Sequence, residues 1–241
     1  MLRLITCFLY MSGYLIYSLP KLAKMKRLNP QLSVAERDQI IHTVPKKWSR
    51  VIMRITGSDV TVNGEHHIPE GPVVFICNHE GNFDIPVLLG FINKPFGFIS
   101  KMEVKKVPII SAWMEVMNCV FLDRKDRRQA IRSIREGVSL LKDGHSIVIF
   151  PEGTRSKGGE MGQFKAGSFR LAKDAGVPIV PISIKGTSNV FEKNGRFIKP
   201  AAIEVSVLPA ITSYEDKDLK ELAFEVQQLI MNDLAKEKKA S

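Results

Sequence analysis

The stretch Val73-Val74-Phe75-Ile76-Cys77-Asn78-His79-Glu80-Gly81-Asn82-Phe83-Asp84-Ile85-Pro86 decides how the rest of the chain is read. Five apolar residues in a row, two of them β-branched at the start, fit a strand buried on both faces. A polar loop with one glycine follows, and apolar residues then resume at helical spacing over 85–92. The same alternation runs outward from there. Strands are predicted at 96–99, 119–122, 146–150, 179–184 and 202–208, and helices at 108–117, 166–175 and from Asp216 onward. Between Cys119 and Ser146 the apolar residues Ala130, Ile131, Ile134, Val138 and Leu141 mark another helix, with Arg and Glu on its other face. Strand–helix alternation of this kind predicts an α/β fold: a mostly parallel central sheet flanked by helices.

Composition bounds the problem further. The 241 residues carry a formal net charge of +10, with 44% hydrophobic residues, which suits a globular chain and excludes a disordered one. Three cysteines, Cys7, Cys77 and Cys119, have no metal-like spacing and read as reduced thiols. The charge is unevenly placed. Residues 1–56 hold ten Lys/Arg and two Asp/Glu, a balance of +8, while residues 57–241 hold twenty-five against twenty-three, only +2. A nucleic-acid partner is not expected, because its binding face would spread positive charge over the main domain. The division drawn from this is an N-terminal helical module over 1–56 and an α/β domain over 57–241.

Within the module, 4–19 is free of charge. As a helix it covers roughly 24 Å, short of the roughly 30 Å hydrocarbon core, so it either spans with flanking residues or enters one leaflet. Pro20 is expected to end it, and Lys21, Lys24, Lys26 and Arg27 follow, as suits the cytoplasmic headgroup boundary. A second helix over 33–56, kinked at Pro45, gathers Trp48, Val51, Ile52 and Ile55 on a face bordered by Lys46, Lys47, Arg50 and Arg54. That pattern predicts a helix lying in a membrane surface. A signal peptide and a soluble core helix are the competing readings of the first stretch. The expected placement is at the cytoplasmic face of the cell membrane.

Two segments carry the residues for chemistry. His79 and Asp84 lie five apart, about 140° around a helix, so one continuous helix would separate them. With His79 on the strand-end loop and Asp84 in the first helical turn, the carboxylate can fold back onto the ring, fix its tautomer and leave the other nitrogen as a base. Asp84 acting only as a helix cap is the alternative. The second segment, Phe150-Pro151-Glu152-Gly153-Thr154-Arg155-Ser156, also ends a predicted strand. It offers an arginine, two hydroxyls and glycine amides, a set suited to a phosphate monoester; a mobile polar turn is the alternative.

Asn-His-x-x-x-x-Asp followed some seventy residues later by Phe-Pro-Glu-Gly-Thr-Arg-Ser resembles the glycerolipid acyltransferase family, in particular its branch acting on 1-acyl-sn-glycerol-3-phosphate. Phe121-Leu122-Asp123-Arg124 resembles its third block, Val177-Pro178-Ile179-Val180-Pro181 its fourth, and Lys101-Met102-Glu103-Val104 its Lys-x-Glu-Leu segment. The likeness covers roughly 50–210. It departs at Glu80-Gly81, where many members carry Gln-Ser, and at Asn118 or Cys119, where a small glycine is common.

The resemblance implies that His79 is the general base and Asp84 its orienting partner. It implies a lysolipid phosphate near Arg155 and Lys101, with Arg124 adding positive charge unless it pairs with Asp123 or Asp126. Glu152, Gly153 and Thr154 match the acceptor-binding block, the Gly153 amide being a candidate oxyanion donor. The fourth block would line the acyl path or pack as sheet core. The implied reaction moves an acyl group from acyl-CoA or acyl-carrier protein, as co-substrate, to lysophosphatidic acid. Glycerol-3-phosphate or another lysophospholipid are alternative acceptors. No cofactor and no metal are implied.

Overall fold

The computed structural model describes residues 1–123, 125–195 and 197–236. Its strands are β1 (Asp59–Asn63), β2 (Val74–Cys77), β3 (Gly97–Lys101), β4 (Val120–Leu122), β5 (Ile147–Ile149), β6 (Ile179–Lys185) and β7 (Ala202–Val207). They form one sheet in the order β1-β7-β6-β2-β5-β3-β4. Strands β6, β2, β5, β3 and β4 run parallel; β7 is antiparallel to β6, and β1 is parallel to β7. The mostly parallel α/β sheet expected from the sequence is present. The structure adds β1, an edge strand whose alternating Asp-Val-Thr-Val-Asn pattern gives only a short apolar signal.

The helices are α1 (Leu2–Tyr17), α2 (Leu19–Met25), α3 (Val34–Thr56), α4 (Asp84–Phe91), α5 (Ile110–Val116), α6 (Arg127–Lys142), α7 (Arg170–Ala175) and α8 (Leu219–Ala235). On one face of the sheet Phe75, Cys77, Val148, Val180 and Ile182 pack with Val87 and Leu88 of α4 and Met53 of α3. On the other, Val74, Ile76, Ile147 and Ile179 pack with Leu141 of α6, Leu171 of α7 and Val226 and Ile230 of α8. Three layers result, with the central strands dry on both sides. The predicted helix over 166–175 starts as a 3-10 turn, Ala166–Phe169, before α7.

The N-terminal helices depart from expectation in two ways. Pro20 does not end the first helix. It sits in the first turn of α2, where its missing N–H would have no partner anyway, and the axis bends by 48° between α1 and α2. No single described helix is long and apolar enough to cross a membrane, but this bent pair passes by length and composition.

The second departure concerns α3, which begins with a Ser33–Glu36 capping box and stops at Gly57, whose φ is +72°. Much of the face read as membrane-directed is turned to the protein instead: Ile52 is buried, Ile55 packs against the core, and Trp48 lines a cavity. The reason is α4, which is apolar nearly throughout and needs a cover. Gly90 lets the two helices approach closely, since a Cβ there would lie 3.3 Å from that of Ser49, and Arg50 Nε donates to Gly90 O at 2.7 Å. Farther up α3, buried His42 places Nε2 2.7 Å from Phe96 O, and burial pushes its imidazole below the ordinary range.

Candidate active site

Parallel strands put their carboxyl ends on one edge of the sheet, and β6, β2, β5 and β3 are neighbours. The residues that leave those ends therefore meet: Asn78 and His79 after β2, Phe150 and Glu152 after β5, Lys101 at the end of β3, and Gly186 and Thr187 after β6. Asn78 anchors the first loop across the sheet. Its Nδ2 donates to Ile184 O and its Oδ1 accepts from Ile184 N, both at 2.8 Å.

His79 Nδ1 lies 2.6 Å from Asp84 Oδ2. A carboxylate only accepts, so Nδ1 carries the proton and Nε2 is left with a lone pair. The Asp84 side chain is 0% exposed while that of His79 is 18% exposed, so the pair has a buried end and an open end. Asp84 Oδ2 also accepts from Gly81 N at 3.0 Å. Phe150 stacks on the imidazole with ring centroids 4.1 Å apart, fixing the ring plane.

Glu152 is buried, and its two oxygens are committed to backbone: Oε1 accepts from His79 N at 2.6 Å and Oε2 from Gly162 N at 2.7 Å. Burial pushes its carboxyl above the usual range, against the pull of those two amides. Ser156 N donates to His79 O at 2.8 Å and Lys157 N to Glu80 O at 2.9 Å, so the loops after β2 and β5 are stitched together. Arg155 donates to Asn82 Oδ1 across the same seam. Glu152, which the resemblance assigns to acceptor binding, holds the histidine loop through His79 N. The Gly153 amide, the candidate oxyanion donor, is engaged within its own loop. It donates to Phe150 O at 3.1 Å, closing a turn that Gly153 enters at φ +73°.

Comparisons with known proteins fall where this geometry points. The family model described as Acyltransferase matches residues 59–185, more than half of the chain. The chain belongs to the Acyltransferase family. It is 36% identical over 156 residues to the chloroplastic 1-acyl-sn-glycerol-3-phosphate acyltransferase of Arabidopsis thaliana, covering 64% of this chain and 43% of that one. It is 34% identical over 159 residues to a probable 1-acyl-sn-glycerol-3-phosphate acyltransferase of Mycoplasma genitalium, covering 63% and 59%. The chain thus spans about half the length of these curated relatives. The crystal structure of the 1-acyl-sn-glycerophosphate (LPA) acyltransferase of Thermotoga maritima superposes with a TM-score of 0.84 at 24% identity, over 99% of this chain and 97% of that one, which shows a shared fold.

In this member of the Acyltransferase family the open end of His79 faces a cavity of about 710 Å³, a size usual for ligand sites. Lys101, Thr154 and Arg155 line it beside His79, and Phe98, Met114, Met117, Cys119 and Ile134 give it apolar walls. The N-terminal helices complete it, through Tyr14, Leu15 and Ser18 on one side and Val44, Pro45 and Trp48 on the other. Ser18 Oγ accepts from Trp113 Nε1 at 2.9 Å, tying the α1–α2 bend to α5. Arg124 lies outside the described residues. The fourth block packs as sheet core: Ile179, Val180 and Pro181 are buried in β6 and do not line the cavity. Sequence reading missed the turn after β6, whose Thr187 donates to Asp84 Oδ1. Its Gly-Thr-Ser-Asn composition reads as an ordinary turn, and its only signal is the glycine.

Proposed function

We propose that the protein moves a fatty acyl group from a thioester donor to the sn-2 hydroxyl of 1-acyl-sn-glycerol-3-phosphate, forming phosphatidic acid. The observation that carries this is a His–Asp pair opening into an apolar cavity whose rim holds Arg155 and Lys101. His79 Nε2 takes the hydroxyl proton while the oxygen attacks the thioester carbon. The intermediate collapses with cleavage of the C–S bond, and the imidazolium returns its proton to the leaving thiolate. Asp84 holds Nδ1–H and stabilises the transient cation. A positioned base contributes about 10²–10⁴-fold to rate, and donors aimed at the oxyanion about 10²–10³-fold. That role is assigned to Thr154, which lines the cavity, because the Gly153 amide already donates to Phe150 O. The thioester carrier is coenzyme A or acyl-carrier protein.

The test is thiol release from acyl-CoA or acyl-carrier protein with lysophosphatidic acid, compared with a monoacylglycerol lacking the phosphate. Wild type is expected to favour the phosphorylated acceptor, and Arg155→Ala to lose about 1.5–3 kcal/mol of that preference, roughly 10–100-fold in kcat/KM. Equal use of both acceptors by wild type overturns the assignment.

Both acceptor and product are bilayer lipids, which gives the exposed apolar face of α1 a use. Phe8, Leu9 and Ile16 are well exposed, and Lys21, Lys24, Lys26 and Arg27 follow at the bend. We place that face in the cytoplasmic leaflet. Removing the whole segment is a poor test, since Tyr14, Leu15 and Ser18 also wall the cavity. The triple variant Phe8→Ser, Leu9→Ser, Ile16→Ser spares them. It is expected to weaken sedimentation with anionic vesicles at least 10-fold, since each buried apolar side chain is worth about 1.5–3 kcal/mol. Turnover of a short-chain, dispersed acceptor is expected to stay near wild type.

A further inference from the structure

The turn after β6 lines no part of the cavity, yet it reaches the buried side of the base. We propose that Thr187 is a positioning residue for the His79–Asp84 pair, an inference that rests on the acyl-transfer reading above. Asp84 is fully buried. Its Oδ2 takes both His79 Nδ1 and Gly81 N, and its Oδ1 is held by the Thr187 hydroxyl, itself fully buried. Pinned at both oxygens, the carboxylate cannot twist, and its plane sets the plane in which the imidazole sits.

The turn is held in its own right. Glu80, 106 to 108 residues away in sequence, places Oε2 2.9 Å from Gly186 N, 3.2 Å from Ser188 N and 3.3 Å from Ser188 Oγ. Gly186 passes so near β7 that a Cβ on it would lie 2.3 Å from Ala202 O, and its φ is +98°. The backbone path through Thr187 is therefore fixed on both sides. Glu80 Oε2 also lies 3.2 Å from Thr187 Oγ1. A hydroxyl has one proton to give, and the closer contact assigns it to Asp84, because Glu80 already has the donors of the turn. Glu80 thus anchors the turn, the turn presents Thr187, Thr187 holds Asp84, and Asp84 aims His79.

The experiment compares Thr187→Val, Thr187→Ala and Thr187→Ser in the full chain by thiol release and thermal melting, beside wild type and His79→Ala. Valine keeps the shape and removes the donor. We expect kcat to fall about 10–100-fold in the valine and alanine variants, the scale of a small misplacement of the base. KM for donor and acceptor should stay within about threefold, since no contact to substrate is removed. Serine, which keeps the hydroxyl, should restore kcat to within about threefold of wild type. Should the valine variant fail to fold, the serine–alanine pair decides. Wild-type kcat in the variants lacking the hydroxyl, or serine as impaired as alanine, overturns the proposal. Equal turnover by wild type and His79→Ala overturns His79 as the base, and absence of thiol release in wild type overturns the acyl-transfer reading itself. An inactive His79→Ala beside fully active Thr187 variants overturns only the role of Thr187.

Discussion

His79→Ala is expected to lower kcat by about 10²–10⁴-fold, the usual contribution of a positioned base, while the protein still melts near the wild-type temperature. The ring is a side chain on a loop, with its Nε2 side open to the cavity, and its removal breaks no strand pairing. Asp84→Asn is the sharper companion. An asparagine can keep its oxygen toward His79 Nδ1 and Gly81 N and turn its NH₂ to Thr187 Oγ1. Thr187 can then redirect its own proton to Glu80 Oε2, 3.2 Å away. Geometry and fold are conserved, while the negative charge and the acceptor-only partner that fixes the imidazole tautomer are lost. A fall of about 10²–10⁴-fold in kcat with little change in melting temperature is expected, since losing the carboxylate of such a pair costs up to about 10⁴-fold. Thiol release and a circular-dichroism melt measure both. Wild-type kcat in Asp84→Asn would mean that the transient imidazolium needs no counter-charge.

The second large effect is expected at Glu152, whose two carboxylate oxygens both accept from backbone amides. Glu152→Gln changes one atom, yet it removes one of two acceptors between two buried amides, His79 N and Gly162 N. A glutamine can accept from one and must point its NH₂ at the other. A buried amide left without a partner costs about 1–3 kcal/mol. For a chain of this length that is a melting-temperature fall of about 2–12 °C, at roughly 2–4 °C per kcal/mol. The loss also loosens the seam between the loops after β2 and β5, so kcat should drop about 10–100-fold through displacement of His79. Calorimetry beside thiol release would show both falls together. Unchanged stability with reduced acceptor affinity would return Glu152 to a direct role in binding.

Much of the fold was legible because the signals are local. A short unbroken apolar run at Val73–Cys77, with Pro72 before it and polar Asn78 after it, fits a covered strand, and the apolar spacing of α6 fits a helix. The His79–Asp84 pairing was legible for a related reason: both residues sit within one turn of chain, so a tight loop suffices to join them. The edge strand β1 was not, because Asp59, Thr61 and Asn63 interrupt its short apolar pattern. The face of α3 was legible as apolar, but the sequence does not say what covers it. Its cover is α4, admitted by the small residues Ser49 and Gly90, 41 positions apart.

By itself the sequence determined the alternation of strands and helices, the two chemical segments at strand ends and the concentration of positive charge in the first quarter of the chain. All of these are properties of neighbours along the backbone, where periodicity and composition act directly. Only the tertiary structure decided that Glu152 faces backbone amides and that the Gly153 amide is spent on its own turn. Only it decided that Thr187, 103 residues from Asp84, holds the other carboxylate oxygen. Strand order sets those distances: β6 and β5 flank β2 though neither is next to it in sequence, and a side chain's direction depends on what the sheet brings opposite it.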